Sequence, residues 1–157
     1  MNIKHTICLG LTLSVISLPV FASERGDLTG VGLVKLVVED VDADAAADGL
    51  NIAAITKELH HKLANSHIKE SSNAKCVLSV SFNTQKTNID TYAFDAEVKL
   101  IEAVVTTGRK RRNAVLATTW SAAVIGEVPS ASISSAGIGV GTAMDLFIED
   151  YQSEHNK

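Results

Sequence analysis

The chain has 157 residues, 14 basic against 18 acidic side chains, a net charge of −4, 46% hydrophobic residues and only 4% aromatic ones. That length fits one ordinary domain. The acidic balance and the scarcity of aromatic platforms argue against nucleic-acid binding, which draws on a broad basic surface.

Residues 1–5, with Lys4, open a leader whose residues 7–16 are mostly apolar; Pro19 then breaks any helix. Val20-Phe21-Ala22 puts small or permissive residues where a signal peptidase cuts. The layout predicts a secretory signal peptide over residues 1–22 and a single α/β domain over residues 23–157, periplasmic or secreted after cleavage near Ala22. The apolar run is shorter than the roughly 20 residues a bilayer requires, and the remaining chain is read as free of a transmembrane segment. Cys8 falls inside the leader, so Cys76 is the one cysteine of the 135 residues that follow the cut. No internal disulfide can then form. The apolar strand around Cys76 reads it as a small buried hydrophobe.

Past a loose lead-in at residues 24–29, residues 30–41 form the first strand. Its Leu33-Val34-Lys35-Leu36-Val37-Val38 core is nearly continuously apolar, the pattern of a strand inside a sheet. An acidic, alanine-rich connection follows at residues 39–48. Residues 49–69 read as a helix: Ile52, Ile55, Leu59 and Leu63 fall within about 80° of arc, and Asp48 or Asn51 caps its start.

Ser71-Ser72-Asn73 is a turn, after which the period changes to two. Cys76, Leu78, Val80 and Phe82 share one strand face; Tyr92, Phe94, Ala96, Val98 and Leu100 share one face of the next. A basic loop at residues 108–113 leads into a strand over residues 114–125, with Leu116, Thr118 and Trp120 placed towards the core. Gly126 and Pro129 end it. Residues 132–152 are the last helix, weakened by Gly137, Gly139 and Gly141 at up to about 1 kcal/mol each relative to alanine. Gly137 and Gly141, one turn apart, are the positions expected to let this helix approach the sheet. The order strand, helix, three strands, helix predicts an α+β two-layer sandwich: a four-stranded mixed sheet with both helices on one face and a polar, open second face.

Chemistry-bearing patterns are sparse. Counting from Asp40, Asp42 and Asp44 continue a calcium-loop spacing, but Ala45 replaces the glycine of position six and Asn51 the glutamate of position twelve. Helix capping and solvation account for these carboxylates. His60 and His67 lie about 10.5 Å apart along a helix, too far for one ion, and His61 points away from the apolar stripe. No metal site is expected, and no cofactor: Gly137-Ile138-Gly139-Val140-Gly141 lacks the third-glycine spacing and preceding strand of a dinucleotide fingerprint. No serine occupies a nucleophile-elbow turn, so no catalytic residue is assigned. Asp95 and Glu97 share the open face about 7 Å apart, the arrangement of paired carboxylates, with Lys99 beside them as a charge-balancing partner. Arg109-Lys110-Arg111-Arg112 concentrates four cations at the hairpin tip of an acidic protein, a spot suited to an envelope protein or an anionic lipid surface.

Tyr92-Ala93-Phe94 with Glu97-Val98, Ala117-Thr118-Thr119-Trp120, and Phe147-Ile148-Glu149-Asp150-Tyr151 together resemble a group of small secreted bacterial proteins of unassigned function. The likeness covers most of the chain after the leader and carries no catalytic motif, so it transfers no functional residue. The element order is also similar to that of the lipopolysaccharide-assembly lipoproteins, by architecture only, because the lipid-bearing cysteine that follows their signal is missing here. The expectation is a non-enzymatic cell-envelope binding or accessory protein. The alternatives are an envelope hydrolase using Asp95 and Glu97, and a structural oligomer using a sheet edge or the off-stripe Ile138 and Leu146.

Overall fold

The alternating residues that the sequence places on one face are the ones that build the core. In the computed structural model, which describes residues 20–24, 26–88, 90–106 and 114–155, the strands are β1 (Val20–Glu24), β2 (Val34–Val38), β3 (Cys76–Asn88), β4 (Thr91–Val105) and β5 (Ala114–Pro129). The helices are α1 (Ala43–Ala47), α2 (Ile52–Asn65) and α3 (Gly137–His155), the last preceded by a 3-10 segment over Ser130–Ala136. The sheet order is β1-β5-β4-β3-β2, with β2 and β3 parallel and all other neighbours antiparallel.

Leu78, Val80 and Phe82 of β3, Tyr92 to Leu100 at alternate positions of β4, and Trp120, Ala122 and Val124 of β5 are buried on one face. Against them pack Ile55, Leu59 and Leu63 of α2 and Val140, Ala143, Met144 and Phe147 of α3. Phe147 sets its edge on Trp120 at 5.1 Å between centroids, and Trp120 Nε1 donates to Asp150 Oδ2 at 2.9 Å. The two-layer α+β sandwich with α2 and α3 on one face is therefore the observed architecture. Asn51 caps α2 by accepting from Ala54 N–H at 3.0 Å.

Several local expectations change. The sheet gains a fifth strand, β1, from the last three residues assigned to the leader and the first two beyond it; its pairing runs from Glu24↔Ser121 to Val20↔Ile125. The nearly continuous apolar strand β2 lies at the sheet edge rather than inside it. Its start is covered by a neighbouring segment, with Val34 N–H donating to Lys69 O and Ser71 N–H to Val34 O. The lead-in is not loose. Leu28 and Val31 are fully buried, and a Cβ on Gly26 would overlap the Thr119 carbonyl at 1.7 Å, so only glycine lets the chain cross β5 there. Helix α2 stops at Asn65, because His67 takes a φ of 61°.

The register of β4 on β5 passes from Leu100↔Trp120 to Ile101↔Thr118, leaving Thr119 as an extra residue. A bulge of this kind reverses the facing of everything beyond it. Leu116 is therefore 75% exposed and Thr118 is exposed, against the core placement that uninterrupted alternation predicts; Trp120 alone of the three is inside. Gly139, not Gly137 or Gly141, is the glycine that meets the sheet: its Cβ would lie 3.0 Å from the Phe94 ring, whereas the other two face α2. Residues Ser130–His155 include an 18-residue stretch with a mean hydropathy of 1.3, which by length and composition alone is enough for a membrane span. Their apolar face is packed against the sheet instead.

Candidate functional site

Helices on one side leave the other face of the sheet uncovered, and strand alternation decides what it carries. Asp95, Glu97 and Lys99 of β4 stand there beside Asn83, Ser81 and Ser79 of β3 and Ile125, Ala123 and Ser121 of β5. Lys99 Nζ and Glu97 Oε2 are 2.6 Å apart, so Glu97 is ion-paired with its neighbour. Asp95 Oδ1 is buried without a hydrogen-bond partner among the described residues. Burial first, and the Glu97 charge second, push the Asp95 carboxyl above the ordinary range, with Lys99 and Asn83 opposing them. A shallow cleft of about 340 Å³ beside Asp95 is lined by Asn83, Thr84, Gln85, Phe94 and Ile125, among others, and does not include Glu97. The two carboxylates are thus neighbours on a strand without sharing that cleft.

The face is less polar than the alternation of β3 and β4 alone implies. Val37, Val105, Leu116 and Ile125 are exposed on it, and Leu33 is exposed immediately before β2. Leu33 and Val37 follow from the alternation with buried Val34, a signal present in the sequence. Leu116 comes to this face only through the bulge, which no local pattern announces.

The hairpin of β4 and β5 ends in the rungs Val104↔Val115 and Val105↔Ala114. Val105 is 55% exposed, Val115 43% and Leu116 75%, so the arm presents apolar side chains on both surfaces. Arg109, Lys110, Arg111 and Arg112 lie outside the described residues, between the two strands of this arm. The other oligomer candidates divide: Ile138 is 70% exposed, whereas Leu146 is half-buried against the core.

The remaining polar groups are engaged locally. Asp42 Oδ2 accepts from Thr84 N–H at 3.0 Å and Thr84 Oγ1 at 2.8 Å, which hold its carboxyl below the usual range. Asp48 Oδ2 accepts from Lys86 Nζ at 2.9 Å and Tyr92 Oη at 2.7 Å. These acidic residues pin the short α1 segment to β3 and β4 rather than converging on a cation. His60 Nδ1 lies 2.8 Å from Glu70 Oε2, and His155 stacks on Tyr151 at 4.0 Å. Among the described residues no group of three or more His, Cys, Asp or Glu side chains is placed to hold a metal ion. Cys76 is half-buried rather than fully inside, its Sγ donating to Glu102 Oε1 at 3.3 Å; burial and then Glu102 push the thiol up.

No family model and no curated protein matches this chain. Among solved structures it is similar to a leucine-to-methionine variant of PelC from Paraburkholderia phytofirmans, described as a dodecamer. The match has 16% identity and a TM-score of 0.47, over 86% of this chain and 98% of that one. A likeness at that level transfers neither activity nor assembly.

Proposed function

We propose that this protein is a non-enzymatic accessory module of the cell envelope, exported by residues 1–22, that docks on an anionic lipid surface through the β4–β5 hairpin. The observation that carries this reading is the exposure of Val105, Val115 and Leu116 on the arm whose intervening sequence contains Arg109, Lys110, Arg111 and Arg112. Apolar side chains flanking a run of cations match an interface with lipid tails below and phosphates above. Each cation near an anionic surface contributes about 1 kcal/mol, so four of them shift partitioning by roughly a thousandfold at low salt.

Vesicle sedimentation tests the reading. The exported protein should bind vesicles containing phosphatidylglycerol and ignore pure phosphatidylcholine, with binding falling as salt rises. Replacing Arg109 to Arg112 with serine should abolish the preference, and Leu116→Ser should weaken binding to the phosphatidylglycerol vesicles. Equal binding of the serine variant and the unsubstituted protein would refute the proposal.

A second reading, hydrolysis by Asp95 and Glu97, draws support from the raised pKa of Asp95 beside another carboxylate. It ranks lower because Glu97 is paired with Lys99 and does not line the Asp95 cleft. A hydrolase screen in which any activity survives Asp95→Asn would dismiss it.

A further inference from the structure

The cut expected after Ala22 and the strand Val20–Glu24 involve the same residues. In the full chain β1 supplies the outer neighbour of β5 through Val20↔Ile125, Phe21↔Val124, Ala22↔Ala123, Ser23↔Ala122 and Glu24↔Ser121. Cleavage after Ala22 removes the first three of these partners. The chain beyond cannot slide up to replace them, because Gly26 is seated on the Thr119 carbonyl and Leu28 is locked in the core. Only Ser23 and Glu24 remain on that edge.

We propose that export processing uncovers the outer edge of β5 at Ala123–Ile125 and that the β5 of a second copy takes the place of β1, antiparallel across a two-fold axis. The sheet then runs continuously through a dimer by strand addition. Three observations select this occupant. The place left by β1 is antiparallel to β5. A two-fold copy of β5 is antiparallel as well, whereas a second β2 continuing the sheet by translation would be parallel, since β2, β3 and β5 run in one direction. The β2 edge is only five residues long and its start is already engaged by the Lys69–Ser71 backbone. Strand β5 has sixteen residues, of which β1 pairs with five, and long edges left open invite association unless they are covered. Ile125, 50% exposed on the uncovered face at this edge, supplies apolar contact next to the new backbone pairing.

The proposal rests on cleavage after Ala22 and not on the lipid contact, and its test uses no lipid. Protein expressed from the full-length sequence is isolated from the envelope. Intact mass fixes its first residue, light scattering fixes its oligomeric mass, and amide exchange reports on β5. The expected result is a chain beginning at Ser23, with twice the mass of the 135-residue polypeptide. Those amides of Ala123–Ile125 that point away from β4 should lose protection on dilution. Ile125→Lys, which sets like charges across the two-fold, should halve the mass with an unchanged circular dichroism spectrum. If that variant fails to fold, the dilution dependence of amide exchange decides alone. A monomer beginning at Ser23, a chain that retains Val20, or a dimer in which the outward-pointing amides of Ala123–Ile125 exchange freely would each overturn it.

Discussion

The contact between Gly139 and Phe94 allows a sharp test of how the helical layer meets the sheet. The Phe94 ring stacks on Phe82 at 5.7 Å, and a Cβ built on either Gly126 or Gly139 would approach it to 3.0 Å. The Gly139 Cβ would also meet Ala96 Cβ and Val124 Cγ1 at 3.5 Å, so the ring has little room to retreat. Alanine in a helix interior is worth about 1 kcal/mol over glycine, whereas inserting a methyl group into a packed core costs about 1–3 kcal/mol. Gly139→Ala should therefore lose about 1 kcal/mol, a fall of about 3 °C in Tm for a domain of this size. At Gly141 the neighbours are Glu58 Oε1 at 3.3 Å and Lys62 Cε at 3.5 Å, the far ends of flexible side chains. Gly141→Ala should consequently be neutral or stabilising by up to about 1 kcal/mol. Urea unfolding of both variants at constant m measures the difference. Trimming the ring with Phe94→Leu should remove the penalty, a coupling of about 1–2 kcal/mol in a double-mutant cycle. Gly139→Ala matching or exceeding Gly141→Ala in stability would refute this account of the packing.

Two further outcomes follow from the titrating groups. Cys76, whose thiol is pushed up by burial and by Glu102, should react with iodoacetamide more slowly than the same cysteine in the denatured chain, and Glu102→Gln should speed it; equal rates before and after denaturation would contradict this. The Asp95 carboxyl is raised in the folded state, so between its unfolded and folded values the folded chain holds a proton that the unfolded chain has released. Stability is therefore lost as pH rises through the folded value. Asp95→Asn should raise the urea midpoint at pH 7, with the gain fading below the ordinary carboxylate value of 3.8; a lower midpoint at pH 7 would mean that the carboxylate has a favourable partner.

Element types, the inward faces of β3 and β4 and the apolar stripe of α2 were legible in the sequence, because period two and period 3.6 are local consequences of backbone geometry. From those faces the α+β sandwich with one open side followed. The candidate site was legible only in part: Asp95, Glu97 and Lys99 sit where alternation puts them, with Lys99 pairing Glu97, but the cleft that takes in Asp95 and leaves out Glu97 is a tertiary fact. What periodicity cannot carry is a change of register or a partner distant in the chain. The single extra residue at Thr119 turned Leu116 and Thr118 outward. Gly139 met the sheet while Gly137 and Gly141 faced α2, a choice of helix face made by the packing of α3 and not by the glycine spacing. Val20–Glu24 became a strand only because β5, about a hundred residues later, offered an open edge. Local sequence thus determined β2 to β5, the longer helices and most of their apolar faces; the strand β1, the facing of β5 beyond its bulge, the order of the strands and the edges they leave were decided by long-range pairing and packing.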